Sequence, residues 1–165
     1  MTIAQNATMA VLPDLTPGGI LRPRRELALT RRFMGAHTFL YQRTGGRLGH
    51  TIPGVPGKML LLDHVGAKSG TKRTSPLLYV KDGEDLVIVA SKGGFPKHPA
   101  WFHNLKANPD TTVQVGSQVL PVHARVATPE ERERLWRQMN EMWPHYDEYA
   151  EKTDREIPVV VLERM

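Results

Sequence analysis

Two short segments combine glycine with lysine or arginine and could bind an anionic ligand. The first, residues 66–73, reads Gly-Ala-Lys-Ser-Gly-Thr-Lys-Arg, and the second, residues 90–94, reads Ala-Ser-Lys-Gly-Gly. Each follows an apolar run typical of a strand. Glycine lets the backbone approach a ligand closely, and the neighbouring cations supply positive charge. We call them the first and second cationic turns and expect their N–H groups and side chains to hold a small anion.

The common catalytic motifs are missing from the sequence. Only three residues separate Gly66 from Gly70, whereas a P-loop needs four, and no Gly-x-Gly-x-x-Gly fingerprint occurs. There is no His-Glu-x-x-His pair, and His98 and His103, five residues apart, do not share a helical face. No Gly-x-Ser-x-Gly elbow and no cysteine occurs, which excludes a thiolate nucleophile and a disulfide. The chain is therefore either a binding protein or an enzyme whose cofactor carries the chemistry, and we expect no metal site.

Length and charge narrow the class of protein. A chain of 165 residues with a formal net charge of +5 is predicted to be one soluble domain with an anionic partner. No run approaches the ~18 apolar residues of a membrane span. Residues 1–23 lack the pattern of a signal peptide, which favours a cytoplasmic location. Charge alone leaves nucleic acid, an acidic membrane face and a phosphorylated or carboxylated cofactor open as partners.

The N-terminal part divides into an arm and a helix. Prolines and glycines interrupt residues 1–23, which predicts a flexible arm, and a single domain then covers residues 24–165. A helical apolar stripe with arginines around it predicts an amphipathic helix over residues 24–44. The stripe consists of Leu29, Phe33, Ala36 and Leu40. The helix either packs on the core or contacts an anionic membrane surface or a cofactor tail.

The remainder of the sequence predicts about six strands, most of them joined as hairpins. The expected strands are residues 58–65, 73–80, 85–90, 111–115, 118–126 and 157–162, and the expected helices are residues 99–107, 128–143 and 147–152. Pro121 lacks an N–H group, which predicts an edge strand or a bulge at that point. The result is an α+β fold whose mostly antiparallel sheet curls into a small barrel, because free strand edges would otherwise aggregate.

Several motifs in the same order resemble one known family. They are Gly66-Ala-Lys68-Ser69-Gly70-x-x-Arg73, Ala90-Ser91-Lys92-Gly93-Gly94, Pro99-x-Trp101-x-x-Asn104-Leu105-x-Ala107-Asn108-Pro109, Trp143-Pro-x-Tyr146-x-x-Tyr149 and Thr153-Asp154-Arg155-x-Ile157-Pro158. From about Leu61 to the C-terminus the chain is similar to the deazaflavin-dependent nitroreductases. The resemblance implies a split β-barrel that binds coenzyme F420 (8-hydroxy-5-deazaflavin). It also implies hydride transfer from the reduced cofactor to a quinone-like or nitro-aromatic acceptor.

The resemblance assigns cofactor-binding residues to the two turns and to the short helix after them. They are Lys68, Ser69, Gly70, Arg73, Ser91, Lys92, Gly93, Gly94, Trp101 and Asn104. F420 carries an anionic phosphodiester and a γ-linked glutamate tail, which lysine and a bidentate arginine would bind. Trp101 and Asn104 are three residues apart on one helical face. Trp101 would form a wall beside the cofactor, and Asn104 would form a hydrogen bond with it.

The aromatic residues near the C-terminus are the expected catalytic residues. Trp143, Tyr146 and Tyr149 would line the acceptor pocket, and a tyrosine hydroxyl could orient or protonate the acceptor. Two positions depart from the family pattern: Ala67 stands where relatives often have a basic residue, and Trp143 stands where nitroreductases can carry tyrosine. The bulkier tryptophan would narrow the pocket against nitroimidazole prodrugs.

The leading expectation is therefore a cytoplasmic F420-dependent reductase with a hydrophobic, quinone-like acceptor and no nucleic-acid partner. The helix over residues 24–44 is a candidate for peripheral membrane contact, and the protein is expected to be a monomer or weak dimer. Two alternatives stay open: a non-catalytic basic module for a membrane surface or single-stranded nucleic acid, and a split barrel that binds FMN.

Overall fold

The computed structural model describes residues 35–52 and 54–165, which form helices around a set of strands. Helix α1 covers residues 35–44 of the described part. The strands are β1 (Lys58–Val65), β2 (Lys72–Asp82), β3 (Asp85–Val89), β4 (Asp110–Val115), β5 (Gln118–Val126) and β6 (Val159–Arg164). The other helices are α2 (Ala100–Ala107), α3 (Pro129–Met142) and α4 (His145–Glu151), and a 3-10 turn spans Lys92–Gly94. The predicted arm over residues 1–23 lies outside the described residues.

The six strands close into a barrel in the order β1-β2-β3-β6-β5-β4, with every neighbouring pair antiparallel. This confirms the predicted α+β split barrel with flanking helices. The hairpins form where the sequence predicted them, at Gly83 between β2 and β3 and at Gly116 between β4 and β5. Glycine suits both positions because each has a positive φ.

Alternating side chains of the barrel strands pack into two separate apolar clusters. The inner cluster contains Leu60, Leu62, Leu77 and Tyr79, and α2 closes it with Trp101, Phe102 and Leu105. The outer cluster contains Met59, Leu61, Val87 and Val161, and it is covered by Tyr41, Leu135, Met139, Trp143 and Tyr146 of the other helices and the segment between α3 and α4. The period-two alternation of a strand explains why adjacent leucines of β1 enter different clusters. Helix α2 therefore plugs the barrel interior, whereas α3 and α4 pack on its outside.

The buried face of α1 differs from the predicted apolar stripe. Ala36 and Leu40 are exposed, whereas His37 and Tyr41 are buried. The Tyr41 hydroxyl donates to the Met59 carbonyl at 2.9 Å and accepts from the Gly116 N–H at 2.9 Å. These hydrogen bonds hold a tyrosine face against the barrel in place of the aliphatic one. Leu29 and Phe33 lie outside the described residues.

Pro121 does not mark an edge strand or a bulge, and that prediction is wrong. Strand β5 lies between β4 and β6, and Pro121 is paired in register with Thr112. The β5–β6 register begins one residue later, at Val122 and Arg164. The proline therefore sits just beyond the end of β6, where its missing N–H removes no ladder hydrogen bond.

Strand β3 pairs with only one end of β2. The β2–β3 register covers only Val80 to Asp82 of β2, although β2 itself begins at Lys72. The second cationic turn follows directly after β3. Within residues 35–52 and 54–165, none of the helices has the length and apolar character that crossing a membrane requires.

Candidate functional site

The first cationic turn is a tight loop with main-chain donors facing outward. The Gly66 N–H donates to the Thr71 carbonyl at 2.9 Å, and the Gly70 N–H donates to the Gly66 carbonyl at 2.8 Å. Gly70 has φ +63°, which glycine adopts without strain. The N–H groups of Lys68 and Ser69 make no hydrogen bond to any described residue, and both residues are exposed. The turn can therefore offer two main-chain donors to an anion.

Positive charge surrounds these donors. Lys68 and Lys72 are exposed, and Arg73 is half-buried at the start of β2. Among the described residues, none of the three forms a salt bridge. Cations without a carboxylate partner, beside open N–H groups, favour a bound phosphate or carboxylate.

Asn104 of α2 holds the first cationic turn against the barrel. Its Oδ1 accepts from the Ala67 N–H at 3.0 Å, and its Nδ2 lies 2.8 Å from Nδ1 of His64. Asn104 is buried, and Trp101 is only 1% exposed within the inner cluster. The predicted cofactor contacts of these two residues stay predictions; in this structure Asn104 positions the turn and Trp101 fills the barrel.

The second cationic turn contains buried polar groups in an uncommon backbone conformation. Ser91 is fully buried, and its Oγ has no hydrogen-bond partner among the described residues. Lys92 has φ +50°, a region that a non-glycine residue adopts at some cost, and it is 5% exposed. Its Nζ lies 5.6 Å from the centre of the Phe95 ring. Such strain and unpaired polarity are concentrated at binding sites in other proteins.

Arg155 organises the second cationic turn, although the sequence analysis did not assign it to the site. Its guanidinium donates to the carbonyls of Phe95 at 2.8 Å, Ser91 at 2.7 Å and Ala90 at 3.2 Å. Its NH1 also lies 3.0 Å from Nδ1 of His98, in the segment that leads to α2. One arginine side chain therefore ties the end of β3, the turn and the start of α2 together. The family motif contains Arg155, but no local pattern indicates that it would reach these carbonyls.

The groups around the second turn form a region of positive potential. Burial, followed by the charges of Arg155 and Lys97, lowers the pKa of Lys92. Burial and Arg155 likewise lower the pKa of His98, and burial lowers the pKa of Arg155. None of Lys92, Lys97 and Arg155 forms a salt bridge within the described part of the chain. An anion bound here would relieve this mutual repulsion.

An aromatic group lies directly beside the second cationic turn. A Cβ on Gly94 would come within 2.6 Å of the Tyr149 carbonyl oxygen, so α4 packs tightly on the turn. The Tyr146 and Tyr149 rings are 6.1 Å apart, and the Trp143 ring lies 4.8 Å from that of His145. Tyr149 is half-buried, whereas Trp143 and Tyr146 are buried in the outer cluster. Burial raises the pKa of both tyrosines, which keeps their hydroxyls protonated.

A cavity of about 480 Å³ opens on the outer barrel face near the first cationic turn. It is lined by Asp63, His64, Val65, Lys72, Arg73, Thr74, Thr111 and Thr112. The Asp63 carboxylate accepts from the hydroxyls of Thr74 at 2.6 Å and Thr112 at 2.9 Å. The lining therefore carries both signs of charge, the Asp63 carboxylate and the cations of Lys72 and Arg73.

Comparisons with known proteins show which family the chain is part of. The family model of the F420H(2)-dependent quinone reductases matches residues 33–164. This chain belongs to that family. It is 47% identical over 131 residues to an F420H(2)-dependent quinone reductase of Mycobacterium tuberculosis, covering 78% of this chain and 87% of that protein. The residues that the family model matches, 33–164, include both cationic turns, α2 and α4.

Solved structures of relatives share the fold. One, described as an F420-H2 dependent reductase, is 50% identical with a TM-score of 0.59 and covers 64% of this chain and 93% of its own. A second, described as a domain-swapped dimer, is 41% identical with a TM-score of 0.63 and covers 82% of this chain and 99% of its own. The split barrel is thus shared over nearly the whole of each related chain.

Proposed function

We propose that this protein is an oxidoreductase that binds coenzyme F420 and transfers hydride from its reduced form to a hydrophobic, quinone-like acceptor. The observation that carries the proposal is the pair of cationic turns, which are linked through α2 and Arg155 and hold unpaired positive charge. Membership of the F420H(2)-dependent quinone reductase family supports the same cofactor and the same acceptor class.

The residues present fit the anionic part of F420. The first cationic turn offers open N–H groups beside three cations, which suits a phosphodiester and a glutamate carboxylate. In the second turn, the buried Ser91 Oγ has no hydrogen-bond partner and Lys92 has no salt bridge within residues 35–52 and 54–165, so a bound cofactor would satisfy both. We place Lys68, Ser69, Gly70 and Arg73 at the tail, and Ser91, Lys92, Gly93 and Gly94 nearer the ring.

The cofactor supplies a hydride from C5 of its reduced deazaflavin ring. The protein's own contribution is to hold two flat molecules face to face and to exclude water from the space between them. We place Tyr149 at the acceptor, because it is the half-buried aromatic residue beside the second turn, with Tyr146 and Trp143 packed behind it. Its protonated hydroxyl can donate a hydrogen bond to a quinone oxygen as negative charge develops there.

Stopped-flow mixing of the purified protein with reduced F420 and then with a menaquinone analogue tests the function directly. We expect rapid reoxidation of F420, seen as the return of deazaflavin absorbance, only when protein and quinone are both present. The same mixture with reduced FMN is the control for the FMN alternative. The proposed function would be contradicted if the protein promoted reoxidation of reduced FMN but not of reduced F420. It would also be contradicted if neither cofactor were reoxidised.

Removing a cation from the first cationic turn should weaken cofactor binding. We expect Lys68→Ala and Arg73→Ala each to cost about 1–3 kcal/mol of F420 binding, the usual size of a lost charged hydrogen bond. Isothermal titration measures the change, which should shrink at high salt as the charges are screened. Lys81→Ala, an exposed lysine at the other end of β2, is the matched control. Unchanged F420 affinity in both turn variants would mean that the cofactor tail does not bind at the first cationic turn.

The two tyrosines of α4 should differ in their effect on turnover. We expect Tyr149→Phe to lower kcat about tenfold or more with little change in F420 binding, because it removes a donor to the acceptor oxygen. Tyr146→Phe should change kcat less, because its ring is 2% exposed and lies in the outer cluster. Steady-state assays with the menaquinone analogue separate the two variants. A larger kcat loss in Tyr146→Phe would reverse the assignment.

We also propose that the protein is cytoplasmic and that it contacts a membrane surface peripherally. Phe39, Leu40 and Leu48 are 60%, 45% and 54% exposed. Arg43 and Arg47 are exposed near them. Apolar side chains flanked by arginines suit the interface of an anionic membrane, where a quinone acceptor would dissolve. Co-sedimentation with phosphatidylglycerol vesicles, but not with phosphatidylcholine vesicles, is the expected result.

A further inference from the structure

We propose that His64 is a positioning residue for the tail of F420, because it holds the first cationic turn in place through Asn104. This inference rests on the proposed function and adds a residue to it. His64 lies on β1 and Asn104 lies on α2, forty positions apart in the sequence, so only the folded barrel brings them together.

The direction of every hydrogen bond in this chain of residues follows from one backbone group. The Ala67 N–H can only donate, so the atom 3.0 Å away on Asn104 must be its carbonyl oxygen, Oδ1. The Asn104 Nδ2 therefore faces Nδ1 of His64 at 2.8 Å and donates to it. The proton of the neutral imidazole is then on Nε2, which donates to Ser75 Oγ at 3.0 Å.

Burial keeps this arrangement neutral and without competing partners. His64 is 4% exposed, Ser75 is 2% exposed and Asn104 is 7% exposed. Burial and the charge of Arg73 on β2 lower the pKa of His64 to about 4, against a smaller opposing effect of Asp63. The ionisable residues of α2, which are His103 and Lys106, are exposed.

The hydrogen bonds that join Ser75, His64, Asn104 and Ala67 control where the positive charge of the first cationic turn lies. Ala67 immediately precedes Lys68, and the Asn104 side chain is the hydrogen-bond partner of the Ala67 N–H. If Nδ1 of His64 were protonated or removed, the Asn104 Nδ2 would face a donor or an empty space, and a buried unpaired amide is costly. The Asn104 amide would then rotate or shift, and the Lys68 and Ser69 N–H groups would no longer be held at one position.

Two substitutions at His64 separate positioning from simple filling of space. Asparagine places its Oδ1 near the position of Nδ1, so His64→Asn keeps an acceptor for Asn104 and loses the bond to Ser75. Glutamine reaches the position of Nε2, so His64→Gln keeps the bond to Ser75 and loses the acceptor for Asn104. We expect F420 affinity to fall about tenfold or more in His64→Gln, and within about threefold of wild type in His64→Asn.

The ligand comparison isolates the tail. The probe is 8-hydroxy-5-deazariboflavin, the fragment of F420 that lacks the phosphodiester and the glutamates. We expect its affinity to be the same in wild type and both His64 variants. His123→Gln, a change at a half-buried histidine of β5 that is paired with Asp110, is the matched control and should bind F420 like wild type.

Each other outcome overturns the inference. Equal loss in both His64 variants, or parallel loss of the tail-free fragment, would assign His64 a purely structural role. If the wild type does not bind F420 at all, the proposed function itself fails. A tautomer measurement needs no variant: long-range ¹H–¹⁵N spectra of the wild type should show His64 protonated on Nε2, and protonation on Nδ1 would contradict the proposal.

The pH dependence provides an independent readout. As the pH falls from about 6.5 toward the His64 pKa of about 4, we expect tail-dependent affinity to weaken more in wild type than in His64→Asn. Both proteins share any loss from protonation of the glutamate carboxylates of F420, so the difference between them belongs to His64. Identical pH profiles would overturn the proposal.

Discussion

Replacing Arg155 with methionine should weaken F420 binding about tenfold or more and lower the free energy of unfolding by about 1–3 kcal/mol. The guanidinium donates to the carbonyls of Phe95, Ser91 and Ala90. Its loss removes the donor to the Phe95 and Ala90 carbonyls, whereas the Ser91 carbonyl still accepts from the Gly94 N–H at 3.1 Å. The second cationic turn would also lose a positive charge that forms no salt bridge with any described residue. Titration calorimetry and urea unfolding measure the two effects.

Two further variants separate the contribution of charge from that of geometry. Arg155→Lys keeps the charge but cannot reach three carbonyls at once, so it should recover part of the affinity and little of the stability. Arg134→Met removes an arginine that makes a bidentate pair with Asp82 at the surface, and we expect a much smaller loss of stability and no loss of affinity. If Arg155→Met binds F420 like wild type, the second turn is not part of the cofactor site.

The barrel could be predicted from the sequence because its signals are local. Alternating apolar residues and a glycine turn determine each hairpin, as at Gly83 and Gly116, and six such strands have few alternatives to closure. The helices α2 and α3 were likewise predictable, since Pro99 and the Thr128 capping box define where they begin. The cationic turns were visible for the same reason, because glycine and lysine are adjacent in the chain.

The arrangement of side chains within the site could not be predicted in the same way. The chain of hydrogen bonds from Ser75 to Ala67 joins two strands, a turn and a helix, and no periodic pattern in the sequence records it. Arg155 reaches carbonyls more than fifty positions away. Only the closed barrel brings such residues together, so their roles are a property of the tertiary fold.

The buried face of α1 and the position of Pro121 show how tertiary contacts override local preference. An aliphatic stripe indicated Ala36 and Leu40 as core residues, but Tyr41 satisfies polar groups of β1 and of the β4–β5 turn, and its face is buried instead. Pro121 fits within β5 because the neighbouring strand has already ended. In both cases the structure depends on a contact with a segment that is distant in sequence: β1 and the β4–β5 turn for Tyr41, and β6 for Pro121.

Gly94→Ala should be the most damaging small change in the site. Gly94 has φ +76°, and a Cβ there would lie 2.6 Å from the Tyr149 carbonyl oxygen and 2.8 Å from Cβ of Lys152. These atoms belong to the backbone of α4 and to the residue that ends it, so they cannot rotate away, and the helix itself must shift. Left-handed strain and overpacking together should cost about 3 kcal/mol of the free energy of unfolding.

Gly83→Ala is the control that isolates this contact. Gly83 has φ +62°, but apart from its two chain neighbours no described residue has an atom within 4 Å of the position its Cβ would take, so only the backbone strain of about 1–2 kcal/mol applies. Because α4 carries Tyr149, displacing it should also lower quinone reduction by about tenfold or more in Gly94→Ala at a temperature where both variants are folded. Equal stability and equal activity in the two alanine variants would mean that the second cationic turn and α4 do not form one site, and Tyr149 would then lose its place beside the cofactor.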